Sequence, residues 1–171
     1  MCDHIRIYVA DLAAYNNGQL HGVWINATQD PKEIQYQVNV MLSKSPETLA
    51  EEWAIHDYEG FGAVSISEWE SFERVYKIAL FIDEHGALGA ELLSHYGDDL
   101  EEAKLAIQDR YMGQFDTLAD FAESLTEQTT EIPENIAYYV DYERMGRDMA
   151  ISGDLITVET SQGEVHVFWS Q

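Results

Sequence analysis

A chain of 171 residues with 32 acids against 9 bases, formal net charge −23, has room for one domain or two. Its apolar content of 46% and aromatic content of 12% suit a packed core, not a disordered acidic tail. Such a charge repels nucleic acid and anionic membranes and attracts basic surfaces, so direct DNA binding is not expected. The single cysteine, Cys2, allows no internal disulfide, which fits a reducing cytoplasm. No stretch approaches the ~18 apolar residues of a membrane span, and no signal peptide is expected. Residues 1–60, 61–103 and 104–171 carry net charges of −6, −8 and −9, so the excess covers the whole folded body.

Taken in chain order, HIRIYVA (4–10) alternates apolar and polar residues and reads as a strand. YNNGQLHG (15–22) is turn chemistry, and LHGVWINA (20–27) reads as a second strand, paired antiparallel with the first. Asp30-Pro31 opens a helix with Glu33 in capping-box position and an apolar stripe of Ile34, Val38, Met41 and Leu42, limited by Pro46. EWAIHDYE (52–59) is a third strand.

The period turns helical from Ser65, with a capping box from Ser67 to Glu70. Its core face is Trp69, Phe72, Val75, Tyr76, Ala79, Leu80 and Ile82, and Gly86 stops it. A shorter helix follows over 87–97, closed by Gly97. Asp98 caps a third, with Leu100, Ala103, Ile107 and Tyr111 inward. A fourth spans 117–128 around Leu118, Phe121, Ala122 and Leu125, and Pro133 opens another through about Ala150. DLITVETSQGEVHVFWS (154–170) is a hairpin turning at Ser161-Gln162-Gly163. The class is α+β, with strands near both termini and a helical middle.

Motifs for chemistry are absent. The histidines (His4, His21, His56, His85, His95 and His166) form no H-E-x-x-H or similar metal pattern. There is no G-x-S-x-G elbow, no P-loop and no dinucleotide fingerprint. Cys2 sits at the terminus. Close carboxylate pairs such as Asp98-Asp99 or Glu68/Glu70 arise by chance among 32 acids, and acids at helix starts complement the dipole. No enzyme and no cofactor are expected.

The distributed charge is more telling. Duplex DNA carries one negative charge per ~1.7 Å of axis, so a net of −23 matches about 39 Å of duplex, roughly 11–12 base pairs. Acids recur at helical spacing: Glu70 and Glu73 with Lys77, then Asp116, Asp120, Glu123 and Glu127, while Asp98, Glu101 and Glu102 lie close together. Such rows can imitate a phosphate track. They can equally be solvated faces, or an adaptation to high salt, which the four lysines (Lys32, Lys44, Lys77 and Lys104) would suit. An acidic adaptor or chaperone for basic DNA-binding proteins is the alternative class.

IYVADLAAYNNGQLHGVWI (7–25), IHDYEGFG (55–62), SEWESFERVYKIALFIDEHG (67–86), Tyr96 and PENIAYYVDYERMGRDM (133–149) resemble the ArdA antirestriction family over essentially the whole chain. The resemblance implies a protein carried on mobile elements that mimics B-form DNA. It would inhibit type I restriction–modification enzymes by binding the methyltransferase core, without catalysis or cofactor. It further implies an elongated series of three small domains, near 1–61, 62–103 and 104–171, and a homodimer formed through the last.

On that reading the mimic surface draws on Glu51, Glu52, Asp57 and Glu59 in the first segment. The second supplies Glu68, Glu70, Glu73, Asp83, Glu84, Glu91, Asp98, Asp99, Glu101 and Glu102. The third supplies Asp109, Asp116, Asp120, Glu123, Glu127, Glu131 and Glu134. Tyr138, Tyr139 and Tyr142 are the dimer candidates, because tyrosine is frequent at interfaces. In EEWAIHDYEGFG (51–62) the acids then belong to the mimic. Trp53, Ile55 and Tyr58 pack, His56 makes structural hydrogen bonds, and Gly60 and Gly62 turn the chain.

Overall fold

The computed structural model describes residues 5–171, so Cys2 and His4 lie outside the described residues. The chain divides into two compact units, Met1–Ser94 and His95–Gln171. The boundary falls inside the 62–103 segment expected as a middle domain.

The first unit is built on a three-stranded antiparallel sheet of order β2-β1-β3: β1 Arg6–Asp11, β2 Gly22–Asn26 and β3 Trp53–Glu59. Alternation sets the register. Ile7 faces Ile25 on one neighbour and Tyr58 on the other, and Ile7, Val9, Ile25 and Ile55 are buried. Between β1 and β2 lies a short helix that periodicity does not announce, α1 Leu12–Asn16. Helix α2, Pro31–Ser43, starts where expected. Asp30 accepts a hydrogen bond from the Lys32 amide, and Ile34, Val38 and Met41 are buried. Gly60 and Gly62 hold positive φ in the turn after β3.

Helix α3, Phe72–His95, begins one turn later than the Ser67–Glu70 pattern suggests. Ser67 instead closes a turn, accepting the Glu70 amide on its carbonyl at 3.1 Å. Ser71 caps the helix, its Oγ accepting the Arg74 amide at 3.2 Å. Trp69 therefore precedes the helix and is 67% exposed, not inward, and Leu80 is also exposed. The buried stripe is Phe72, Val75, Ile78, Ala79, Phe81 and Ile82. Gly86, at φ 59° and ψ −141°, breaks α3 where a stop was expected.

In the second unit, Asp99 rather than Asp98 caps α4, Leu100–Leu105, accepting the Glu101 and Glu102 amides. Asp98 takes the left-handed φ of 66° that Asp tolerates. A π-helical turn, Ala106–Arg110, leads into a strand missed in the sequence, β4 Tyr111–Phe115. Tyr111 is thus an exposed strand residue, not the inner face of a helix. Helix α5, Leu118–Thr129, is capped by Thr117. The helix expected from Pro133 to Ala150 is two. A single turn, α6 Glu134–Ala137, is followed by α7 Tyr142–Ile151, which Asp141 caps anew.

The hairpin β5 Leu155–Ser161 and β6 Glu164–Trp169 joins β4 in an antiparallel sheet of order β4-β6-β5. Phe121, Leu155 and Val167 form its core, with Met112, Leu118, Leu125, Met149 and Trp169 packed around them. Gly146 lets α7 close on α5: a Cβ there would lie 2.6 Å from the Leu118 carbonyl oxygen.

Candidate functional site

The candidate acids ride on ordered elements. Asp57 and Glu59 lie on β3, in register with Tyr8 and Arg6 of β1. Glu51 and Glu52 lead into that strand, and Glu68 and Glu70 flank Trp69 in the turn before α3. Glu73, Asp83, Glu84 and Glu91 are on α3. Asp98 and Asp99 precede α4, Glu101 and Glu102 are in its first turn, and Asp109 is in the π-helical turn. Asp120, Glu123 and Glu127 are on α5, Glu131 follows it, and Glu134 opens α6.

All of these are exposed except Glu70 and Asp98, which are half-buried. Two of the expected rows are revised. Glu70 lies outside α3, so it does not continue the Glu73/Lys77 face, and Asp116 sits in the bend before α5. The row on α5 is Asp120, Glu123 and Glu127.

Some candidates already meet a base. Arg6 pairs with Glu59 at 2.7 Å and also covers the Trp24 ring at 4.6 Å. Arg74 pairs with Glu70 at 3.6 Å, Lys104 with Glu101 at 3.1 Å and Arg110 with Glu102 at 3.0 Å. The Arg6–Glu59 and Lys104–Glu101 pairs are exposed on both sides, and such pairs are worth about 0–1 kcal/mol, so those carboxylates can change partner at little cost. Other acids have local duties. Asp99 caps α4, and Asp120 accepts the Thr117 hydroxyl at 2.6 Å while its amide donates back to that hydroxyl.

Asp141, Glu143, Asp148, Asp154, Glu159 and Glu164 lie outside the expected set and are also exposed in the second unit. Helical spacing cannot find Glu159 and Glu164, since acids on strands recur at other intervals.

His56 meets the Tyr15 ring edge-on at 4.7 Å. Among the described residues no group of three or more His, Cys, Asp or Glu side chains could hold a metal ion. No helix among them is long and apolar enough to cross a membrane.

The shifted titratable groups lie together on β4 and β6, joined through Thr160 of β5. The Tyr111 hydroxyl is 2.8 Å from His166 Nδ1, Thr160 Oγ1 is 3.4 Å from His166 Nε2, and Thr160 donates to Glu164 Oε2 at 3.0 Å. The carboxylate can only accept, which orients the chain. Thr160 donates to Glu164, a neutral His166 donates through Nε2, and Tyr111 donates to Nδ1. Burial holds the His166 imidazole below its ordinary value, against the pull of Glu164. Burial raises Tyr111, and hydrogen bonds from Ser161 and Thr160 lower Glu164. This network ties the sheet together.

Tyr138 and Tyr139 are 92% and 80% exposed, their rings edge-to-face at 5.7 Å. Tyr142, at the start of α7, is half-buried.

The family model described as antirestriction protein (ArdA) matches residues 7–164, nearly the whole chain. The chain belongs to this family. ArdA proteins are inhibitors rather than known enzymes, and membership makes this chain an antirestriction protein whose partners are restriction–modification enzymes. The match takes in β1 to β5 and every candidate acid and tyrosine above. A comparison with curated proteins finds no match.

Proposed function

We propose that this ArdA protein is an acidic mimic of B-form DNA, acting in the cytoplasm. Its carboxylates occupy the basic DNA-binding cleft of a type I restriction–modification enzyme, block restriction and modification, and exclude DNA by competition without chemistry. The observation that carries this reading is the exposure of nearly all the candidate acids on ordered helices, strands and turns of both units. A flexible adaptor would keep its acids in unstructured tracts.

Carboxylates facing the enzyme's lysines and arginines release condensed counterions from both surfaces. Association is then fast and salt-sensitive. The test is DNA competition against a purified type I methyltransferase core at low and raised salt. Displacement that weakens steeply with salt is expected; no displacement at low salt overturns mimicry.

The same reading includes a homodimer in which Tyr138, Tyr139 and Tyr142 take part. Replacing Tyr138 and Tyr139 with serine is expected to yield a monomer by sedimentation. It also keeps three domains, near 1–61, 62–103 and 104–171, so limited proteolysis should cut near residues 61 and 103. A single cut near residue 94 would favour two.

A further inference from the structure

Trp69 is 67% exposed, in a protein whose other tryptophans are half-buried against rings: Trp24 on Tyr8, Trp53 on Phe72 and Trp169 on Phe121. Tryptophan has the most apolar area to hide, so its display needs a reason. Its backbone is held firmly. The Trp69 amide donates to Ser67 Oγ at 3.3 Å, and the next amide donates to the Ser67 carbonyl. The preceding carbonyl, of Glu68, accepts the Ile55 amide of β3 at 2.9 Å, which fastens the turn to the sheet edge. Immediately afterwards Ser71 caps α3. An aromatic ring on so fixed a frame loses little entropy when it docks.

Its neighbours along the chain are acids. Glu68 is exposed beside it, Glu73 is exposed in the first turn of α3, and Asp57 is exposed two residues beyond the β3 position that the turn is bonded to. An indole face supplies quadrupole attraction for a cation, and the carboxylates supply charge. Arginine answers both, since guanidinium stacks on aromatic faces and forks onto carboxylates.

We propose that Trp69 is an anchor that takes an arginine side chain of the partner's basic cleft, stacked on the indole and flanked by Glu68 and Glu73. The proposal rests on the mimicry reading and adds to it. A phosphate track offers an arginine charge and hydrogen-bond acceptors but no aromatic face. The indole adds a contact that salt does not screen, which duplex DNA cannot match from its backbone. Tryptophan and arginine are also the side chains most enriched where binding energy concentrates.

The test uses full-length protein in the same DNA competition at several salt concentrations, with Trp69→Ala, Trp69→Phe and Trp69→Leu. Far-ultraviolet circular dichroism is expected to match the wild type for all three, since the side chain is exposed. Trp69→Ala is expected to weaken displacement by roughly 5–30-fold at every salt concentration while leaving the slope against salt unchanged. Trp69→Phe should keep part of the loss back, and Trp69→Leu should be as weak as alanine. If the wild type displaces DNA and Trp69→Ala does so equally well, the anchor is wrong and mimicry stands. If Trp69→Leu matches the wild type, the contact is merely apolar and the arginine stack is wrong. A wild type that displaces no DNA overturns both.

Discussion

Asp11 is the one buried charged side chain among the described residues. Its Oδ1 accepts the amides of Ala13 at 2.9 Å and Ala14 at 3.2 Å, closing the start of α1, and its Oδ2 takes the hydroxyl of Ser45. One carboxylate thus ties the end of β1 to the segment after α2. In sequence, ADLAAYNNG reads as a strand running into a turn, and nothing marks Asp11 out from 31 other acids. Its role comes from Ser45, 34 residues away. Asp11→Ala leaves two amides and a hydroxyl without their acceptor in a buried place, at a cost of about 1–3 kcal/mol. Urea denaturation should show the unfolding free energy falling by that amount and the midpoint with it, with Asp11→Asn losing less because its carbonyl can still accept. This acid holds the fold; the exposed ones are available for a partner.

At the level of elements, legibility followed locality. β1, β2, β3, α2 and the β5–β6 hairpin were readable because alternation, a cap or a turn signal lies within each segment. β4 was not. YMGQF is five residues with Gly113 at φ 122°, follows directly on a π-helical turn, and becomes a strand only by pairing with β6 some 50 residues later. The 133–150 segment reads as one helix because neither Gly nor Pro stands between Pro133 and Asp141, and the second start is only a side-chain cap, the Asp141 carboxylate accepting the Arg144 amide. In sequence Trp69 reads as core because Ser67 and Ser71 are both competent caps, and the bond from the Ile55 amide to the Glu68 carbonyl favours the second. The acids were legible as a set; their exposure, pairing and capping duties were not. The proposed mimicry gives a prediction for the acids on and just before α5. Glu123→Gln alone should change displacement by less than about 1 kcal/mol, while Asp116→Asn with Glu123→Gln and Glu127→Gln should cost about 1–3 kcal/mol and flatten the salt slope. Asp120 is left intact because it completes the Thr117 cap. A single change that abolishes displacement would show that the energy is not spread. The β4–β6–β5 sheet makes a different prediction. His166 has a folded value below its ordinary ~6.5, so the unfolded chain binds more protons as the medium acidifies. Its stabilising contribution is present above about pH 6.5 and is lost as pH falls through the folded value, when Nδ1 can no longer accept from Tyr111. Chemical denaturation across pH 5 to 7 should show stability falling toward acid in the wild type and a flatter profile in His166→Gln.

Over the whole molecule, the charge proposed to serve docking works against folding. A formal −23 repels itself in the compact state, and the nine bases are too few to offset it. Several of them sit in exposed ion pairs, which are themselves weak. Salt should therefore act with opposite signs on the two properties. The screening length shrinks from about 30 Å at 0.01 M to about 8 Å at 0.15 M and 3 Å at 1 M, so repulsion between carboxylates on separate elements fades first. Thermal unfolding should move up by a few °C between 0.01 and 0.5 M sodium chloride, while displacement of DNA from the enzyme weakens over the same range. The pairing of the two slopes is what discriminates. An acidic surface adapted to a saline interior would be unfolded at the low end of that range, because its core would be too weak to hold the charge together. Here Ile7, Val9, Ile34 and Val38 in the first unit and Phe121, Val167 and Phe168 in the second are fully or almost fully buried, so the folded state is expected to persist at 0.01 M, where the attraction for a basic cleft is strongest. Loss of circular dichroism at 0.01 M would assign the acids to salt tolerance; a folded protein that displaces DNA best at that same concentration would assign them to the partner.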